Sequence, residues 1–263
     1  PVNKKNFTWK INLNLTHYKN KITYLPDEKK TTVMDGHGGY MNGSRYYGED
    51  LPINTWYMKR FAGLSEDGLS LWYYTDKETN EEKTTTTYST GDFYLCGDPN
   101  PDLYGGFGTS ITFHGFDLST QFSYLVGGLT YDYGYAGMMG NPTATSVGNR
   151  WHKDVLKAWS PENPSSTIPR WHFNDLNTTG SSDRFLIDGS YLNLQNIQVG
   201  YTLPDSWTSH LKIKNLRLYF VCDNVYYWSK RKGLDPRRSI SGVGTSGKIA
   251  PFRTYSGGIS LQF

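Results

Sequence analysis

The sequence predicts an all-β fold, and within that class an antiparallel barrel whose strands cross a membrane. Three observations carry the prediction. Hydrophobic residues make up only 37% of the 263-residue chain while aromatic residues reach 16%, with 21 tyrosines, 12 phenylalanines and 8 tryptophans, so the rings serve something other than an aliphatic core. Apolar residues recur at every second position in several segments, and a tilted strand of about ten such residues is long enough to cross a bilayer. The connections between segments differ sharply in length, short turns alternating with long loops, as in outer-membrane barrels and seldom in compact soluble domains.

The elements follow in order along the chain. Phe7, Trp9, Ile11, Leu13 and Leu15 alternate with Thr8, Lys10, Asn12, Asn14 and Thr16, giving a first strand with one apolar and one polar face. His17–Leu51 reads as a long connection. Pro52–Gly63 admits a further strand, its phase blurred by the adjacent Trp56, Tyr57 and Met58; the alternation of short and long connections survives only if that segment belongs to one large loop or a strand pair is missed. After the long stretch Leu64–Asp102, Ile111 and Phe113 flank Thr112, and His114-Gly115 forms a short turn into a strand with Phe116, Leu118, Phe122, Tyr124 and Val126 on one face. Asp132–Leu186 is a second long connection, with a single helical turn expected at Val155–Trp159 and stopped by Pro161, since proline cannot continue a helix. Ile197, Val199, Tyr201 and Leu203 form the next apolar face, and the short link Leu203–Lys214 leads to Leu216, Leu218 and Phe220 opposite Arg217 and Tyr219. Beyond the long Ser229–Pro251, Tyr255, Ile259, Leu261 and Phe263 interleave with Thr254, Ser256, Ser260 and Gln262. The sum is about seven strands.

Other classes find little support. No apolar run approaches the roughly 18 residues of a membrane-spanning helix. The net charge of +3 and the brevity of the basic clusters Lys230-Arg231-Lys232 and Arg237-Arg238 argue against nucleic-acid binding. Cys96 and Cys222 match no metal or redox spacing, and whether they pair is left open. The six histidines contain no HExxH, so no metal site is expected. Ser229–Lys232 matches SxxK, but without a GxSxG elbow it does not indicate an enzyme. Gly242, Gly244 and Gly247 spell GxGxxG, and Gly242 through Lys248 nearly spell a P-loop; Ile249 stands where a Ser or Thr belongs and Pro251 follows, so the stretch reads as a loop and no cofactor is expected. The chain opens at Pro1 in strand-like alternation, without methionine or signal peptide, and reads as a piece of a larger protein.

The string DPNPDLYGGFGTSITFHGFDLSTQFSYLVGG at 98–128 resembles a hairpin signature of SusC/RagA-type TonB-dependent outer-membrane transporters. DRFLIDGSYLNLQNIQVGYTLP at 183–204 and LRLYFVCDNVYYWSKRKGLDP at 216–236 resemble further blocks of that family, in the family's order. The resemblance implies that residues 1–263 are the C-terminal portion of a barrel of about 22 strands, with the plug domain and N-terminal strands absent from this chain. It implies the outer membrane of a Gram-negative, Bacteroidetes-like cell, with the long loops from Leu64 onward extracellular and Phe263 as the signal read by the barrel-insertion machinery. It further implies import without catalysis: a nutrient, foremost an oligosaccharide and in some members a peptide, captured with a SusD-like surface lipoprotein and driven by a TonB–ExbB–ExbD complex acting through the plug. A surface-exposed binding or adhesion barrel without transport is the alternative.

Candidate cargo contacts are the rings of Trp72, Tyr73, Tyr74, Trp151, Trp159, Trp171 and Trp228, which fall in the long connections or near the rim and could stack on sugars. Any one of them alone is more simply an interfacial girdle or loop-packing residue; as a group they suggest glycan contact.

Overall fold

The computed structural model describes residues 2–144, 150–178, 180–208, 210, 212–238, 241–243 and 251–263. In chain order its strands are β1 (Val2–Lys4), β2 (Phe7–Thr16), β3 (Thr32–Met34), β4 (His37–Asn42), β5 (Arg45–Gly48), β6 (Thr55–Lys59), β7 (Phe61–Leu64), β8 (Ser70–Thr75), β9 (Glu82–Thr85) and β10 (Phe93–Leu95). They continue with β11 (Leu103–Phe113), β12 (Phe116–Val126), β13 (Leu129–Tyr131), β14 (Leu186–Asp188), β15 (Tyr191–Thr202), β16 (Asn215–Ser229) and β17 (Thr254–Gln262), with the short helices α1 (Tyr133–Met138) and α2 (Asp205–Thr208) between.

The long strands form one seven-stranded antiparallel sheet in the order β1-β2-β11-β12-β15-β16-β17. The count matches the sequence expectation, but the membership does not. Pro52–Gly63 contributes nothing to this wall; β6 and β7 belong to separate small sheets, and the seventh place is taken by β1. Residues 17–102 are therefore a single connection, and the alternation holds throughout. Lys5-Asn6, His114-Gly115 and residues 203–214 turn at one end of the sheet; 17–102, 127–190 and 230–253 connect the other. His114 (φ 48) and Gly115 (φ 86) both lie in the left-handed region that a two-residue hairpin turn of matching twist requires.

Register joins the alternating residues into two continuous faces. Leu13, Phe107, Phe122, Leu194 and Tyr226 form one cross-strand row, and Trp9, Ile111, Leu118, Val199 and Phe220 another. Between Leu194 and Ile197 a bulge inserts Gln195, moving the apolar phase from even to odd positions. Ile11 and Leu13 are 63% and 65% exposed, and among the described residues no protein layer covers this face. Such a band on a sheet calls for lipid as its solvent.

The long connections carry their own structure: a five-stranded sheet β10-β6-β5-β4-β3, a three-stranded sheet β7-β8-β9 and the pair β13-β14. Trp56, Met58, Tyr131, Met139 and Phe185 form their shared core, drawn from two of the long connections. The helical turn expected at Val155–Trp159 is instead a 3-10 turn at Lys153–Lys157. His152 Nδ1 accepts from the Asp154 amide at 3.2 Å at its start, and Ala158 already returns to extended backbone, so Trp159 lies outside it. Helix α1, which contains Gly134 and Gly137, is started by Asp132, whose carboxylate accepts from the Tyr135 amide at 3.0 Å.

Candidate functional site

The polar face of the wall is built from the second phase of each strand: Lys10, Asn12 and Asn14 on β2, Ser110 on β11, Ser119 and Gln121 on β12, Asn193, Asn196 and Gln198 on β15. A cleft of ≈ 480 Å³ runs over Lys10, Asn12, Ser110, Ser119, Gln121 and Asn196. Amide and hydroxyl groups dominate, and the charges among them are largely paired. Arg217 grips Asp117 through two bonds, Nε to Oδ1 at 2.9 Å and Nη2 to Oδ2 at 2.6 Å. The pair spans β15 directly over Gly200, where a Cβ would lie 2.5 Å from Arg217 Nη2 and collide with the Asp117 carboxylate. Asn196 donates to Asp223 at 2.7 Å. Nearer the long connections, Arg237 makes a two-bond pair with the buried Asp235, donates to Asn193 at 2.7 Å and stacks 4.4 Å from the Tyr227 ring. Lys10 makes no ion pair among the described residues.

Above this face the three long connections are knitted together. Arg45 lies 3.1 Å from the centre of the Trp56 ring, donates to the Asn54 carbonyl at 2.6 Å and reaches the Ser241 carbonyl, tying 17–102 to 230–253; burial lowers its pKa to about 10. The Trp56 indole donates to the Leu129 carbonyl at 3.2 Å, tying 17–102 to 127–190. Arg231 pairs with the buried Asp132 and stacks on Tyr135, joining 230–253 to 127–190. Lys59, 4% exposed, donates to the carbonyls of Tyr88 (2.6 Å), Ser89 (3.2 Å) and Gly91, and burial pushes its pKa below the ordinary lysine value. Asp183 accepts from the Phe61 amide at 2.8 Å, and burial raises its carboxyl.

The candidate rings do not form one platform. Trp72 is a correction: at 1% exposure it is wedged edge-on between Phe61 and Tyr88 and offers no face to a ligand. Tyr73 lies beneath the Arg60 guanidinium at 4.5 Å, and Tyr74 stands on β8 opposite Lys83. Trp159 lies flat over Gly68. Trp151, which donates to the Gly140 carbonyl at 3.0 Å, and the exposed Trp171 do meet, edge to face at 5.6 Å. Trp228 sits in the wall itself, on the apolar face opposite Leu192 and beside Tyr226. Phe263, 73% exposed, ends the chain in the apolar phase of β17. Sequence patterning gives Lys10, Asn12 and Asn14 as polar alternates; the register adds Gln121, Asn193 and Asn196 to the same face, and Lys59, Arg45 and the pairs over Gly200 and Tyr227 have no signal without it.

Catalytic readings gain nothing from the geometry. The Ser229 hydroxyl donates to the Arg231 and Leu234 carbonyls and closes the turn after β16. Cys96 and Cys222 are free, one in a long connection and one in the wall; burial raises the Cys96 thiol to about 11. Among the described residues no three His, Cys, Asp or Glu side chains cluster as metal ligands. Of the glycine-rich motif, Gly244, Gly247 and Lys248 lie outside the described residues.

No protein-family model matches the chain. Among curated proteins it is similar to TonB-dependent receptor P3 of Formosa agariphila, 28% identical over 292 aligned positions covering all of this chain and 27% of that receptor. It is also similar to TonB-dependent receptor SusC of Bacteroides thetaiotaomicron, 26% identical over 274 positions, again covering all of the chain and 25% of the relative. The chain thus spans about a quarter of the length of these relatives. Among solved structures, that of the RagAB peptide transporter superposes on the whole chain and on 28% of its own, with a TM-score of 0.79 at 23% identity, a likeness of fold to a β-barrel wall.

Proposed function

We propose that this chain, whose sequence and fold are those of a SusC/RagA-type TonB-dependent receptor, supplies part of the wall of an outer-membrane barrel that imports an uncharged polar oligomer, foremost an oligosaccharide. The observation that carries the reading is the opposition of the two faces: a mainly apolar band that suits lipid, interrupted by Thr109 and Thr120, backed by an amide- and hydroxyl-rich surface whose charges are mostly neutralised in place. Amides and hydroxyls match the donor and acceptor pattern of sugars and of peptide backbones, and a surface with few free charges holds such cargo loosely enough to release it.

In this reading the polar face lines the lumen and the three long connections face the cell exterior, where a SusD-like lipoprotein closes over them. A TonB–ExbB–ExbD complex supplies the energy through a plug. The peptide cargo named for RagAB would fit the polar face as an oligosaccharide would, and the excess of side-chain amides and hydroxyls over free charges favours the glycan. The test is accumulation of labelled neutral oligosaccharides and of peptides by cells carrying the intact receptor, with and without a proton-motive force, for wild type and for Gln121→Ala/Asn196→Ala. Energy-dependent oligosaccharide uptake that weakens in the double variant is expected. Peptide uptake alone would replace the cargo assignment, and surface binding without accumulation would sink import in favour of adhesion.

A further inference from the structure

Strand β16 rises past its neighbour: its pairing with β17 stops at Asp223 opposite Thr254, while β16 continues to Ser229. On the apolar face beside this step stand Tyr226, Trp228 and Tyr255, all exposed, with Tyr226 and Trp228 edge to face at 4.8 Å. Directly beyond them come Lys230, Lys232 and Arg253, also exposed. None of these three cations makes an ion pair among the described residues; Arg253 reaches only the Tyr255 hydroxyl, at 3.5 Å. Asp235 is neutralised by Arg237, while Asp188, held by the Ser190 amide and hydroxyl, keeps its charge and feels Lys230 at longer range without an ion pair.

Two clefts meet at Trp228. One, ≈ 510 Å³, is lined on the apolar face by Tyr124, Val126, Leu192 and Trp228 and ends at Lys230. The other, ≈ 570 Å³, takes in Tyr226, Trp228, Lys232 and Arg253 and extends to Tyr227 and the Asp235-paired Arg237 of the polar face. An apolar groove that terminates in unpaired cations fits an occupant that is itself divided, with a hydrocarbon part along the groove and an anionic head at its end. A soluble anion would leave the groove empty, and a neutral lipid would leave the cations unanswered.

We propose that this rim binds an outer-leaflet lipid with a phosphorylated headgroup, its acyl chains along Val126, Leu192 and Trp228 and its phosphate held by Lys230 and Arg253 with Lys232 alongside. The inference rests on the membrane orientation given above and adds a ligand to it. A bound lipid here would brace the end of β16 that β17 leaves unpaired.

The intact receptor, incorporated into phosphatidylcholine nanodiscs doped with a phosphorylated glycolipid or its dephosphorylated form, is released and its retained lipids are counted by native mass spectrometry, for wild type and for Lys230→Gln/Arg253→Gln. Wild type should prefer the phosphorylated form by roughly thirtyfold, the scale set by two surface cations, and the double variant should insert normally and lose that preference. Equal retention of the two glycolipids by wild type, or an undiminished preference in the variant, overturns the proposal. Failure of wild type to enter the bilayer at all overturns the membrane reading, and this one with it.

Discussion

Lys59→Met tests the buried lysine as the organiser of the loop from Tyr88 to Gly91. The native ammonium is 4% exposed and donates to three backbone carbonyls, that of the buried Gly91 and those of the partly buried Tyr88 and the exposed Ser89. Methionine fills the same volume and removes every donor. A buried acceptor left without a partner costs about 1–3 kcal/mol, which applies in full to Gly91 and in part to Tyr88, while water can reach Ser89; the variant regains some of this because it no longer desolvates a charge. The expected net loss is about 1–2 kcal/mol in the free energy of opening this loop and the strand β10 that follows it, equivalent to a roughly 5- to 30-fold rise in exchange rate. Hydrogen exchange of the intact receptor, followed in peptides covering residues 88–96, reads it directly, because the amides of Asp92 and Cys96 are bonded to the Tyr73 and Trp56 carbonyls. Lys83→Met serves as the comparison, since the Lys83 side chain is 41% exposed and its ion pair with Asp76 is open to solvent. Exchange in Lys59→Met no faster than in wild type or in Lys83→Met would refute the carbonyl-capping role.

Gly200→Ala should separate Arg217 from Asp117 and lower stability toward urea by about 1 kcal/mol, and its effect should nearly vanish in an Asp117→Asn background; additive losses would mean that the glycine serves something else. Ile11→Arg, on the apolar face, should cost about 2–4 kcal/mol of membrane stability near the bilayer centre while Asn12→Arg, one residue on, costs far less; similar effects from the two, measured by unfolding from liposomes, would mean that the faces are wrongly assigned. Asp183 titrates above its ordinary value of 3.8 in the folded protein, so the native state holds more protons than the unfolded one in that window and stability falls as pH rises through it. Asp183→Asn keeps an acceptor for the Phe61 amide and removes the buried charge. The variant should match or exceed wild type at neutral pH and lose the acidic-range dependence in thermal unfolding; a variant weaker than wild type with an unchanged profile would count against burial as the cause.

The wall was legible in the sequence because each of its strands has two different solvents, and two solvents impose period two. Where the phase slips at Gln195, the reading began at Ile197 and missed Leu192 and Leu194 on the same face. The small sheets were not legible for the opposite reason. Every residue of β6 is buried, Thr55 through Lys59, so Trp56, Tyr57 and Met58 show no alternation, and their adjacency looked like a strand out of phase. Aromatic richness likewise could not separate Trp72, deep in a loop sheet, from the exposed Trp171, because both are rings in a long connection until the packing is known. The ion pair over Gly200 joins residues 100 apart in the chain, and only the register of three strands brings them together.

The pairing of β2 with β11 sets Thr16 opposite Tyr104, with all of residues 17–102 between them. A floppy connection of that length would make this the slow step of assembly, since the entropy of closing the gap is lost before the strands gain anything in return. Several contacts within the connection are short in range: β3 pairs with β4, β4 with β5, β7 with β8 and β8 with β9, whereas β6 with β10 and Asn20 with Asn100 join parts farther apart. Each such hairpin can form in microseconds, before the wall strands meet. These hairpins shorten the chain that remains to be closed, so β6 with β10, and then β2 with β11, meet across a smaller effective gap than the residue count implies.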